Sequence, residues 1–211
     1  MARRILTTAA AFTAGAALVL TACGDGDESP EKIEGADKGT SASPSADAPD
    51  SVKRPEVKLP KSFALDFRGW TSSDPIEQAV LNDGKEQVRA GYAAIIANDP
   101  GSTALAFYDT KTGLAQDREW IKTYTDKDLT VIGKAPVYNA KATVVGEKKR
   151  AASLSYCMDE SKAYSKNRKT GKVEGTPAGT NSKVLYTTTL KQSEQGVWQT
   201  VSVDSKRGGC S

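Results

Sequence analysis

Histidine is absent from all 211 residues. With it go the commonest general base at neutral pH, the Ser-His-Asp and Cys-His arrangements of nucleophilic catalysis, and most zinc sites. No glycine-rich loop follows a strand pattern, which removes the usual phosphate cradle. The uncharged run from Ile5 to Leu20 is shorter than the ~20 residues a spanning helix needs, so it does not read as a transmembrane segment. From these absences the sequence assigns no catalytic residue, no cofactor site and no metal site.

What is present begins with an address. Arg3 and Arg4 precede the apolar run, and Leu20, Thr21, Ala22 and Cys23 close it with small residues before a thiol. This is the layout of a signal peptide over residues 1–22, exported by the general route or, given the arginine pair, by the twin-arginine route. The four residues resemble the bacterial lipoprotein box. That resemblance implies cleavage before Cys23, lipidation of its thiol with a palmitate-type diacylglyceryl group, and a place on the extracytoplasmic face of the cell membrane.

Residues 24–60 are rich in Gly, Ala, Ser, Pro, Asp and Glu and contain no aromatic residue. Such a composition buries too little apolar surface to offset its ordering entropy, so residues 23–60 read as the lipidated cysteine and a disordered tether with a reach of ~35 Å. Its excess of acids suits solubility above an acidic cell surface. Residues 61–211 remain, about one domain's worth. The domain is mildly basic, because the whole chain carries only +3 after the acidic tether is counted. The densest bases, Lys148-Lys149-Arg150 and Lys166 to Lys172, fall at expected turns without interleaved aromatics, which argues against nucleic acid. Phosphate-rich partners such as teichoic acids or lipid headgroups are the lesser alternative to a simply solvated basic surface.

The domain opens with a helix from Asp74 to Asn98. Asp74 can cap it, Pro75 presets the first turn, and Ile76, Val80, Leu81, Val88, Tyr92, Ile95 and Ile96 recur at helical spacing. Asn82-Asp83-Gly84 predicts a kink or break. Two shorter helical pieces follow up to Asp128, with Lys111-Thr112-Gly113 between them. Strands are expected at Leu129–Gly133, Val137–Val145 and Arg150–Asp159, then around Val184–Leu190 and Val197–Val203, where apolar and polar residues alternate. Asn167 to Ser182 reads as a polar hairpin tip. In an oxidising exterior Cys157 and Cys210 are left as a pair, and a disulfide is expected between them.

The order of elements, with Ser155-Tyr156-Cys157-Met158-Asp159, Lys169-Thr170-Gly171, Tyr186 to Leu190, Val197-Trp198 and Gly208-Gly209-Cys210, resembles small lipoproteins and secreted proteins of actinobacteria. These are generally assigned a nuclear-transport-factor-like or cystatin-like cone fold. Covering about Lys61 to Cys210, the resemblance implies an α+β class with N-terminal helices packed on a curved antiparallel sheet, the disulfide and a cell-envelope location. It implies no activity. The expected role is a non-catalytic binding or interaction module, anchored to the membrane through Cys23, with an unknown protein or a small apolar ligand as partner and no nucleic acid. Its rivals are a purely structural envelope protein and a small isomerase- or lyase-type enzyme using Asp66 or Asp109 with Tyr92, Tyr108 or Tyr156. The aromatics Tyr92, Phe107, Trp120, Tyr124 and Tyr156 are expected to fill the cone.

Overall fold

In the computed structural model, residues 52–210 are described. The signal peptide, Cys23 and the tether up to Ser51 lie outside them. Among the described residues no helix is long and apolar enough to cross a membrane. The elements are β1 (Phe63–Phe67), α1 (Pro75–Ala97), α2 (Thr103–Tyr108), α3 (Lys111–Thr125), β2 (Leu129–Val145), β3 (Ala151–Asp159), β4 (Ala163–Asn167), β5 (Val173–Glu174), β6 (Lys183–Gln192) and β7 (Trp198–Arg207). The fold is α+β: after β1 come three helices and then the strands of a curled sheet of order β5-β4-β2-β3-β6-β7, antiparallel throughout that path.

α1 forms where capping and periodicity agree. The Asp74 carboxylate accepts from the N–H groups of Ile76 and Glu77, Pro75 occupies the first turn, and Asn98 closes the helix in the left-handed region at φ 58°. The expected break at Asn82-Asp83-Gly84 does not occur, and the helix runs unbroken. Two tertiary contacts override the local weakness. Asp83, whose side chain could compete for helix backbone, is held instead by the Arg54 guanidinium and the Trp198 N–H. Gly84 sits under the buried Leu154, where a Cβ would lie 2.4 Å from Cδ2.

The sheet also departs from expectation in three places. Leu129–Gly133 and Val137–Val145 are one strand: its first half pairs with β4 and its second with β3. Curvature enters β2 at a bulge where Asn139 and Ala140 oppose Tyr156 alone, with Asn139 at φ 53°, and enters β7 at Val201, which has no partner on β6. β1, unread from the sequence, lies parallel to β2 with Phe63 opposite Gly133. Its Phe-Ala-Leu-Asp-Phe run is five residues long, too short to carry a clear periodic signal. The supposed hairpin tip likewise contributes the end of β4 and all of β5.

Residues 52–60, read as the end of the tether, pack on the domain. Val52, Val57 and Leu59 lie against the core, and Arg54 reaches Asp83. These few apolar side chains find a preformed surface that composition averaged over the tether cannot reveal. At the other end the Cys157–Cys210 disulfide is formed, joining β3 to the residues after β7.

Candidate active or binding site in the cone

Three helices contribute to one buried polar cluster. Gln87 lies on the inner stripe of α1, Asp109 follows α2 and caps its end, and Asp117 lies on α3 in a buried stripe with Gly113 and Ile121. The α2–α3 junction is fixed against the sheet. Thr110 donates through its N–H at 2.9 Å and its hydroxyl at 3.0 Å to the Thr200 carbonyl. Gly113 allows that approach, since a Cβ there would stand 2.2 Å from the same oxygen.

The Gln87 carboxamide donates to Asp109 Oδ1 at 3.3 Å and to Asp117 Oδ2 at 2.5 Å. The two carboxyls are near enough for each to influence the other's protonation, and Asp109 Oδ2 is buried without a hydrogen-bond partner. Burial first, and the Asp117 charge second, push Asp109 up to about 9 against the opposing Gln87 bond. Burial likewise raises Asp117, to about 6, with the bonds from Asp109 and Gln87 working the other way. Near neutral pH the pair therefore holds one proton and one negative charge, as two carboxyls sharing a dry site must. Among the described residues neither takes part in an ion pair.

Beside this cluster lies a cavity of about 230 Å³ between α1, α3 and strands β3, β6 and β7. Gln87 and Asp117 form its polar wall. Tyr92, Trp120, Tyr156 and Tyr186 supply aromatic surface, and Met158 lies at the sheet side. The exposed Gln116 and Ser205 mark its rim, where the Gln116 side chain brackets the backbone of Val203. Tyr92 donates its hydroxyl to Met158 Sδ at 3.1 Å, and the Trp120 ring meets Tyr92 edge-on at 5.5 Å. Gly91 makes room for that ring, because a Cβ there would come within 2.8 Å of Cζ3. Tyr156 stacks on Tyr186 at 5.2 Å, and the Tyr186 hydroxyl donates to Glu160, which is paired with Arg207. Burial pushes the ionisation of Tyr92, Tyr156 and Tyr186 to higher pH, so all three stay neutral.

The expected filling of the cone is thus incomplete: Tyr92, Trp120 and Tyr156 line a space, while Phe107 packs on Tyr108 and Tyr124 on Trp120. Of the candidate acids, Asp66 is exposed on β1 and pairs with Arg68 outside the cavity. Asp109 belongs to the cluster, although Asp117 is the carboxyl that faces the space. Tyr108 is buried away from it, near Asp83 and Arg54. Sequence reasoning missed Asp117, Gln87 and Tyr186. A usable signal existed: each helix carries a polar residue at a position its own periodicity assigns to the core.

The pair sets a pH dependence with a definite sign. A carboxyl whose folded pKa is raised contributes stability that is fully present below its ordinary value of 3.8 and is lost as pH rises through about 6 and about 9. Asp109→Asn keeps the shape of the side chain and removes one titration. The stability of this variant, measured by urea unfolding, is expected to fall less than that of the parent between about pH 5 and pH 8. Parallel profiles would refute the raised protonation of Asp109.

No protein-family model matches the chain, and no curated protein matches it. Solved structures do resemble it. A candidate aromatic ring hydroxylase from Novosphingobium aromaticivorans aligns at 13% identity over 64% of this chain and 92% of its own, with a TM-score of 0.45. A ketosteroid isomerase-like protein from Erwinia carotovora atroseptica aligns at 16% over 58% and 92%, with a TM-score of 0.39. A nuclear transport factor 2-like superfamily protein from Salmonella enterica serovar Typhimurium aligns at 15% over 60% and 89%, with a TM-score of 0.40. With TM-scores below 0.5, these likenesses carry no argument about the site, whose chemistry rests on its own geometry.

Proposed function

We propose that this protein is a lipid-anchored binding protein of the extracytoplasmic membrane face, whose domain takes a small, largely apolar ligand into the cavity between α1, α3 and the sheet. The observation that carries the reading is the cavity itself: an aromatic-walled space with a few convergent polar groups is the usual form of a small-molecule site. Val203, half-buried on the cavity wall, offers a test that leaves the core intact. In equilibrium dialysis the parent should take up neopentylbenzene, and Val203→Phe should weaken uptake on the order of tenfold without lowering the melting temperature. No uptake by the parent, or equal uptake by both, would overturn the reading.

The anchor rests on the leader, with Arg3, Arg4, the uncharged run and Cys23 in order. Cys23→Ala is expected to move the protein from the membrane fraction into the medium or to leave uncleaved precursor. A variant that matures and fractionates like the parent would remove the anchor from the proposal.

A second reading, acid–base catalysis, is favoured by one observation, the carboxyl pair with Asp117 facing the cavity. A bound ketone probe in heavy water distinguishes the two. Exchange of its α-hydrogens above background, abolished by Asp117→Asn, would establish proton transfer, and background exchange leaves binding as the role.

A further inference from the structure

The cavity wall is asymmetric in charge. Among the residues that line it there is one carboxylate and neither lysine nor arginine. Asp117 and Asp109 are both buried, and among the described residues the only side-chain donor to them is the neutral Gln87 amide. Elsewhere in the domain a buried acid is treated differently: Asp83 is met by the Arg54 guanidinium at 2.8 Å. A buried charge without a counter-ion is costly and is ordinarily paired. Here a cation has a place to sit, because the Asp117 carboxylate lines a cavity rather than facing packed side chains. The remaining walls suit such a guest. Tyr92, Trp120, Tyr156 and Tyr186 are electron-rich rings that attract a cation held within about 6 Å, most strongly where water is excluded.

We infer that the cavity is a site for a small organic cation, an amine or quaternary ammonium group carried on an apolar body, with the Asp117 carboxylate as its counter-charge and the four aromatic rings as the rest of its enclosure. The inference rests on the binding reading above and specifies its ligand class. Gln87 then serves to hold Asp117 in place, and the more deeply set Asp109, outside the cavity wall, leaves the site one carboxylate matched to a monovalent guest. An anionic ligand is excluded by the same wall.

The test compares two probes of nearly equal shape on the unmodified chain: benzyltrimethylammonium and its neutral isostere neopentylbenzene. Equilibrium dialysis at neutral pH should show the cation bound at least about ten times more tightly. Asp117→Asn should abolish that preference while leaving the affinity for the neutral probe unchanged, in a variant that melts no lower than the parent. Equal or tighter binding of neopentylbenzene by the parent would overturn the cation site and leave the apolar cavity standing. Failure of both probes to bind would overturn the cavity reading together with the inference. A cation preference that survives in Asp117→Asn would also overturn the proposal, since the carboxylate would then not be its source.

Discussion

Cys157→Ser is expected to lower the stability of the domain by about 4 kcal/mol, the value the chain-entropy model assigns to a loop of the 53 residues that separate the two cysteines. For a domain of this size that corresponds to a fall in melting temperature of roughly 10 °C. The loop contains β4, β5, β6 and β7, so the bond restrains about half of the sheet in the unfolded chain as well as pinning the chain end in the folded one. Both sulfur-bearing residues are buried, and Gly209 beside Cys210 lies so close to Leu185 that a Cβ would stand 2.9 Å from that side chain. Thermal melts of the oxidised parent, the reduced parent and Cys157→Ser decide the matter. The last two should coincide well below the first, and a reduced parent that melts with the oxidised one would show that the bond adds nothing.

The second large effect is expected at Asp83→Ala, a loss of about 3 kcal/mol or more. The Asp83 carboxylate is almost wholly buried on α1 and has three donors: Arg54 Nε at 2.8 Å, a second Arg54 nitrogen at 3.2 Å, and the backbone N–H of Trp198 at 2.9 Å. Removing it strands the Trp198 N–H in the core and breaks a pair whose acid side is fully desolvated. The arginine side is about half exposed, with 47% of its side-chain surface accessible, so water recovers part of the loss there. Arg54→Ala has a different cost, because it leaves the carboxylate buried with a single backbone donor. Urea unfolding of Asp83→Ala, Arg54→Ala and the double variant forms a cycle in which the single losses should exceed the double loss when summed. Additive losses would mean that the strap of residues 52–60 is not coupled to α1. A chain begun at Lys61 should melt lower than one begun at Pro44 for the same reason.

Much of the fold was legible because its signals are local. Capping by Asp74 with Pro75 after it, the alternation of Ala152, Leu154, Tyr156 and Met158, and the pairing of the two cysteines left after Cys23 depend on near neighbours and on compartment chemistry. Helices followed by strands could be read from period, whereas the curved antiparallel arrangement was what the family resemblance implied. The absence of histidine equally excludes the Ser-His-Asp and Cys-His arrangements from the sequence alone.

What only the tertiary structure decided are the places where residues far apart in sequence meet. The helix through Asn82-Asp83-Gly84 stays unbroken because Arg54, 29 residues earlier, and Trp198, 115 residues later, engage Asp83. Gln87, Asp109 and Asp117 become one buried hydrogen-bonded cluster across separations of 22 and 30 residues, from three helices whose relative placement no periodicity encodes. The single strand β2 with its bulge, the parallel β1 beside it, and the cavity left between the aromatics all follow from sheet curvature. Curvature is a sum over many pairings and bulges, so whether Tyr92, Trp120 and Tyr156 meet and fill the cone or stand apart and line it is settled by how far the sheet curls.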